Sequence, residues 1–281
     1  MHFNLDLKHK LKDLQDYEDI LESIKYELAD ELPRLKRPHI CEIYTTLNAI
    51  VVQKASLCRF GDGEIQLLKG VDIPFQKASL ALTDRLKEIL SSKDPSIFIG
   101  IPRMLYGSKQ NIVPFAKYWW RENGQAFRNT LEKYIDLNHT YYMAEVTLAF
   151  SLFEQYDLHS YFEEISKLWK GLDITVVCGD SVFEKIDYNI FDSAQSIEYL
   201  WAPSLNAFDS YEDLLKRCKS IPTERLVIAV LGPTATVLAY DLAKKGYQCL
   251  DLGHIAKSYD WFKKHKLARE QNDAVDFFNP D

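Results

Sequence analysis

The stretch LVIAVLGPTATVLAYDLAKKGYQCLDLGH, residues 226–254, decides the fold. Leu226 to Leu231 is apolar at every position and ends on Gly232-Pro233. A β-branched run without alternation, closed by a turn signal, reads as a strand buried on both faces. Pro233 suits the first helical position, where its missing N–H costs nothing, and Ala235 to Lys245 continues in a helical pattern. Gln248 to Leu252 is a further strand, and Gly253-His254 follows it.

Working outward, the same alternation extends upstream. Ala55 to Phe60, Ser96 to Ile101, Asp173 to Cys178 and Ser196 to Trp201 read as strands, with helical patterns between them such as Tyr211 to Lys219. The chain is therefore expected to be α/β, a mostly parallel sheet flanked by helices. Before residue 54 the pattern is helical. Leucines at 7, 11, 14, 21, 28 and 32 keep a 4,3 spacing, Glu18 and Lys25 fill the two gaps, and Pro33 stops the run. An amphipathic helix laid on its own domain is the expectation, and a dimerising coiled coil, hence a homo-oligomer, is the alternative. A second helix places Ile40, Ile43, Tyr44, Leu47, Ile50 and Val51 on one face. The expected organisation is an N-terminal helical extension over 1–53, the α/β domain over 54–265, and a polar C-terminal tail over 266–281.

Composition narrows the classes. With 281 residues, 47% hydrophobic and 27% charged, the chain can bury a sizeable core and is not disordered. A net charge of −7 argues against a nucleic-acid binder. No apolar run approaches the ~20 residues that span a bilayer, and the N-terminus lacks the order of a secretory signal. Five scattered cysteines with no C-x-x-C pair suit a reducing cytoplasm, which is the expected location.

In open α/β sheets ligands bind beyond the carboxyl ends of the strands, so the residues just after each strand are the candidates. Arg59-Phe60-Gly61-Asp62-Gly63-Glu64 comes first. Asp62 and Glu64 can face one point from a turn made flexible by Gly61, and a divalent cation held there would bridge to diphosphate oxygens. Arg59 could contact the same phosphates. An ordinary Asp-Gly turn is the plain alternative. After the strand ending at Leu231, Gly232 can cap a helix whose first turn carries no acid. Free amides with the Thr234 and Thr236 hydroxyls then make an anion seat, or simply a capped helix start. Asp251 and His254 could bind a ribose or phosphate or move a proton, although a lone histidine is more often structural. Asp180, after Cys178-Gly179, is a candidate base. No G-x-x-x-x-G-K-[ST], G-x-S-x-G or H-E-x-x-H motif occurs, which argues against a P-loop ATPase, an α/β-hydrolase and a zinc enzyme.

Arg-Phe-Gly-Asp-Gly-Glu at 59–64, the Leu-Gly-Pro-Thr-Ala-Thr block and its helix at 231–248, and Asp-Leu-Gly-His-Ile at 251–255 together resemble the bacterial GT-D glycosyltransferases. The resemblance runs from about 54 to 262 and leaves the N-terminal helices uncovered. It implies a Rossmann-like fold, a nucleotide-sugar donor, and Mn²⁺ or Mg²⁺ bound through an Asp-x-Glu motif that maps onto Asp62 and Glu64. The sequence departs from the family at Asp187 to Phe191, where an arginine is expected nearby, and at Ala256 and Ser258, where acids are common.

These readings converge on a cytoplasmic, metal-dependent glycosyltransferase. It would move a sugar from a nucleotide-sugar donor, a UDP-sugar first, to a glycan or lipid-linked glycan acceptor of a surface polysaccharide or glycoprotein. Arg59, Gly61, Gly232, Thr234, Thr236 and Asp251 would bind the donor. Asp180, then His254, would serve as base. Membrane contact would be limited to peripheral visits to a lipid-linked acceptor. The rivals are a nucleotide-binding module without catalysis and another Rossmann-like transferase, such as a methyltransferase.

Overall fold

The computed structural model describes residues 15–24, 36–107, 111–180, 182–266 and 276–277. It divides into two compact units, Met1–Arg37 and Pro38–Asp281. In the first, helix α1 covers residues 15–24 and its side chains are exposed. Of the leucine seam only Glu18 and Leu21 fall on α1. Leu7, Leu11, Leu14, Lys25, Leu28, Leu32 and Pro33 lie outside the described residues.

The second unit is built on eight strands: β1 (His39–Ile40), β2 (Ser56–Arg59), β3 (Ile97–Ile101), β4 (Thr140–Met143), β5 (Asp173–Gly179), β6 (Ser196–Ala202), β7 (Leu226–Val230) and β8 (Cys249–Asp251). They form one sheet in the order β1-β4-β3-β2-β8-β7-β5-β6. Every neighbouring pair is parallel, as in β2 and β8 (Leu57 beside Leu250) or β7 and β8 (Ile228 beside Leu250). The helices are α2 (Ile43–Gln53), α3 (Asp62–Leu68), α4 (Leu80–Leu90), α5 (Pro114–Leu131), α6 (Ala149–Leu152), α7 (Leu158–Ser166), α8 (Tyr211–Cys218), α9 (Pro233–Ala243) and α10 (Ile255–Lys263).

Because successive strand residues point to opposite faces, each central strand feeds two cores. Cys58, Val227, Ala229 and Cys249 pack with Ile65 of α3, Leu86 of α4 and Leu238 of α9 on one face. Leu57, Ile228 and Leu250 pack with Ile43 of α2, Tyr161 of α7 and Ile255 of α10 on the other. That double burial explains the unbroken apolar runs in the sequence. All five cysteines are buried and free. Among the described residues no helix is long and apolar enough to cross a membrane.

The six strands legible in the sequence are present, and β1 and β4 are additions. β1 has two residues, too few for any periodicity. β4 reads Thr-Tyr-Tyr-Met, with only Tyr141 and Met143 buried, and lacks the aliphatic run of its neighbours. Ile40 belongs to β1, and Tyr44 and Val51 are exposed. The inward face of α2 is Ile43, Thr46, Leu47 and Ile50. β1 and α2, grouped in the sequence with the N-terminal extension, thus pack within the second unit. Phe277, in the segment read as a polar tail, is fully buried against Phe150, His254 and Trp261.

The chain order reverses at the centre of the sheet. From β2 it builds outward through β3 and β4, while β8, β7 and β5 continue from the other flank of β2. Side chains after β2, β5, β7 and β8 are thereby gathered at one switch point, where open sheets bind ligands.

Candidate active site

A cavity of about 350 Å³ opens at that switch point. Its wall includes Arg59, Gly61, Asp62 and Glu64 beyond β2, Gly179 and Val182 beyond β5, Gly232 and Pro233 beyond β7, and Asp251, Gly253 and His254 beyond β8. The four strand-end motifs therefore meet although 192 positions separate Arg59 from Asp251 along the chain. Thr234, Thr236 and Asp180 do not line the cavity.

The carboxylates sit on the first turn of α3. Gly61 is the cap in extended backbone, Asp62 is the first helical residue, and Glu64 is the third. Glu64 Oε2 accepts the Gly61 N–H at 2.7 Å, the returning half of a capping box. Burial pushes the Glu64 carboxyl up to about 7; nearby Asp251 adds to this, while the Gly61 N–H and Arg59 oppose it. Asp62 is exposed to the cavity, yet the surrounding protein desolvates it enough to raise its carboxyl, against the N–H groups of residues 62 and 63. Neither carboxylate is ion-paired with a lysine or arginine among the described residues.

No cluster of three or more acidic, histidine or cysteine side chains able to hold a metal occurs among the described residues. Asp62 and Glu64 nevertheless fit a divalent cation of the Mg²⁺ or Mn²⁺ kind. Such ions bind through one or two carboxylates and complete their shell with water and substrate phosphate. Two acids raised by burial and without an ion-pair partner among the described residues, on the wall of a cavity, have the chemistry of such a half-shell.

Arg59 and Asp251 serve each other. The guanidinium donates from Nη2 to Asp251 Oδ1 at 3.0 Å and from Nε to the Asp251 carbonyl at 2.8 Å. Its Nη1 donates to the Ala144 carbonyl at 3.0 Å and to Thr147 Oγ1 at 2.8 Å. The Arg59 N–H reaches Asp251 Oδ2 at 3.3 Å, and the Thr236 hydroxyl bonds the same oxygen at 3.1 Å and the Arg59 carbonyl at 2.9 Å. Gly253, at φ +46°, leaves room for this arrangement. A Cβ there would lie 2.0 Å from Arg59 Nη2. Arg59, Asp251 and Thr236 thus lock β2, β8 and α9 together, and their polar groups are already engaged with protein. Arg59 and Asp251 also line the cavity, whereas Thr236 does not.

The loop after β7 is also more closed than expected. Gly232 adopts φ +52° and ψ −144°, a conformation that side chains avoid, and a Cβ there would meet Phe75 Cε2 at 2.8 Å. Pro233 offers no N–H, and the Ala235 N–H already donates to the Gly232 carbonyl at 2.9 Å. Thr234 is fully buried, and its hydroxyl has no hydrogen-bond partner. The seat foreseen from amides and two hydroxyls is reduced to the backbone around Gly232.

His254 lines the cavity at the start of α10, its ring 5.8 Å from that of Phe277. Asp180 is exposed beside the wall, its Oδ1 accepting the Ser204 hydroxyl at 2.6 Å. Several lining residues went unread in the sequence. Lys257, one turn beyond His254, lines the cavity and donates to the Asp276 carbonyl at 2.9 Å. Its spacing from His254 on a helix was the available signal. Ile73, Pro74, Phe75 and Gln76 form another wall and carried no motif.

The family described as glycosyltransferase GT-D fold matches residues 57–274. The chain is 28% identical over 242 residues to a probable glycosyl transferase, Gly, of Streptococcus gordonii, covering 84% of this chain and 35% of that protein. It is 29% identical over 237 residues to the glycosyltransferase GlyD of Streptococcus pneumoniae serotype 4, covering 81% and 29%. The chain thus spans about a third of the length of the curated relatives it matches. A solved structure reported as showing that the highly conserved domain of unknown function 1792 has a distinct glycosyltransferase fold is similar at TM-score 0.78 and 31% identity. That likeness covers 85% of this chain and 86% of that one.

Proposed function

Because the chain belongs to the glycosyltransferase GT-D fold family, we propose that it transfers a sugar from a nucleotide-sugar donor to a glycan acceptor, with metal help. One observation carries the reading: two carboxylates raised by burial and without an ion-pair partner among the described residues, Asp62 and Glu64, on the wall of a cavity at the switch point of the sheet. Two acids with no ion-pair partner on that wall would repel a bare diphosphate. Asp62 and Glu64 would hold Mn²⁺ or Mg²⁺, which when bound supplies positive charge to the diphosphate and stabilises it as a leaving group.

The remaining roles fall to the chain itself. Gly232 and Lys257 line the same cavity and would steady the phosphates from the protein side. Arg59 and Asp251 act indirectly, fixing the end of β2 from which Gly61 and Asp62 follow. If the reaction inverts the sugar, Asp180 is the acceptor-side base, because it is exposed where an acceptor hydroxyl arrives from solvent. His254 is the second candidate. The donor to test first is a UDP-sugar. The acceptor is a glycan or lipid-linked glycan of a surface polysaccharide or glycoprotein, met in the cytoplasm or at the membrane surface.

The test is turnover of a nucleotide-sugar panel with Mn²⁺ for wild type, Asp62→Asn and Glu64→Gln. Wild type should release nucleoside diphosphate, and each variant should lose at least a hundred-fold in rate, the order expected when charge stabilisation is removed. Either variant turning over like wild type at saturating Mn²⁺ removes the metal assignment. Donor binding without any turnover in wild type leaves a nucleotide-binding module instead.

A further inference from the structure

Between α3 and α4 the chain makes a tight turn that no sequence motif announced. The Ile73 N–H donates to the Gln76 carbonyl at 3.0 Å, and the Gln76 N–H returns to the Ile73 carbonyl at 3.2 Å. The Ala78 N–H closes the base of the turn on Asp72 Oδ1 at 2.8 Å.

The turn is fastened to a second loop, beyond β6. The Asn206 N–H donates to the Phe75 carbonyl at 2.9 Å, and Asn206 Oδ1 accepts the Lys77 N–H at 2.8 Å. Gln76 Oε1 accepts the Phe208 N–H at 3.2 Å. Asn206 adopts φ +50°, a left-handed conformation that asparagine tolerates better than most residues. The position of residue 75 is therefore held from several directions.

Two of the strand-end motifs abut this one turn. A Cβ on Gly63 would lie 3.3 Å from Ile73 Cδ1, and one on Gly232 would lie 2.8 Å from the Phe75 ring. Phe75 is thus beside the Gly232 loop, while Ile73 neighbours the segment that carries Asp62 and Glu64. Phe75 lines the cavity and is half-buried. Among the described residues only two aromatic rings line the cavity, Phe75 and His254. His254 packs on Phe277, whereas Phe75 makes no ring contact with any aromatic among the described residues. An aromatic ring held in place on a cavity wall, with no aromatic partner of its own, is what a stacked heterocycle requires. Such stacking tolerates any base because every base has a π-face.

We propose that Phe75 is the platform on which the donor's nucleobase stacks, with Asn206 as the residue that positions it. The inference rests on the nucleotide-sugar reading above and adds a base-binding contact to it. Phe75 carries no polar group, so it cannot serve the phosphates. Its loss should be felt by the base alone.

The experiment is calorimetric titration of the full chain with Mn²⁺, using UDP, GDP and ADP as nucleotide probes and inorganic pyrophosphate as a baseless one. Wild type, Phe75→Leu and Phe75→Tyr are compared. Phe75→Leu should weaken the tightest nucleoside diphosphate about ten-fold or more, the range measured for loss of one base stack. Pyrophosphate affinity should stay unchanged, and Phe75→Tyr should keep nucleotide affinity. Wild-type nucleotide affinity in Phe75→Leu overturns the proposal, as does an equal loss of nucleotide and pyrophosphate, which would mean that the turn had collapsed. A wild-type chain that binds no nucleoside diphosphate overturns the nucleotide-sugar reading, and this inference with it.

Discussion

Asp251→Asn keeps the shape of the side chain and removes its charge, leaving Arg59 as a nearly buried cation without its counter-ion. The Arg59 side chain is 13% exposed and that of Asp251 3%. Two of the bonds to the carboxylate, from Arg59 Nη2 at 3.0 Å and from the Arg59 N–H at 3.3 Å, need an acceptor where the amide could present a donor. Breaking a buried pair by removing one partner costs about 3–5 kcal/mol, and the residual exposure of Arg59 argues for the lower end. For a unit of this size each kcal/mol lowers the melting temperature by about 2–4 °C, so a fall of roughly 6–12 °C is expected. Arg59 keeps its bonds to the Ala144 carbonyl and to Thr147, so the fold should survive. Thr236→Val, which removes the hydroxyl bridging Arg59 and Asp251, should cost about 1 kcal/mol in the same assay. Differential scanning calorimetry of wild type and both variants decides the matter. A melting temperature within ~2 °C of wild type for Asp251→Asn, together with lost nucleotide affinity, would refute the reasoning. The carboxylate would then serve a ligand.

Two further outcomes follow from buried polar groups. Glu64 is held up to about 7 by burial, above the ordinary carboxylate range near ~4.3 that it recovers on unfolding. The folded state then binds the extra proton, so this contribution to stability is fully present below pH ~4.3 and is lost as pH rises through about 7. Melting curves of the metal-free protein at pH 5.5 and 8 should show a drop in wild type that is smaller in Glu64→Gln; equal drops would remove Glu64 as the cause. Thr234→Val replaces a fully buried hydroxyl that has no partner with a methyl of similar size. The variant should match wild-type stability or exceed it by about 1 kcal/mol in urea unfolding, and a clear destabilisation would mean that the hydroxyl has a partner.

The sequence alone determined the class of the fold and the place of the site. Residues 226–254 are apolar without alternation in their strands because β7 and β8 are buried on both faces, and that pattern is visible without coordinates. Once the sheet is parallel, ligands belong at its carboxyl ends, so Arg59 to Glu64, Gly232 and Asp251 to His254 were found as a set. The tertiary structure decided which of these line the cavity and which are bonded to other parts of the chain. Arg59, Asp251 and Thr236 are chemically as suited to bind phosphate or ribose as to bind one another, and only the tertiary structure shows them bonded to each other across β2, β8 and α9. Thr234 looks like an anion ligand in the sequence, but the packing of α9 buries it entirely. Phe75 and Lys257 reach the cavity through contacts with residues distant in sequence, Asn206 and Asp276. Local pattern carries the burial of a strand because every second residue repeats it. Whether a polar side chain meets a ligand or a neighbour depends on partners far along the chain, and no window of sequence contains both.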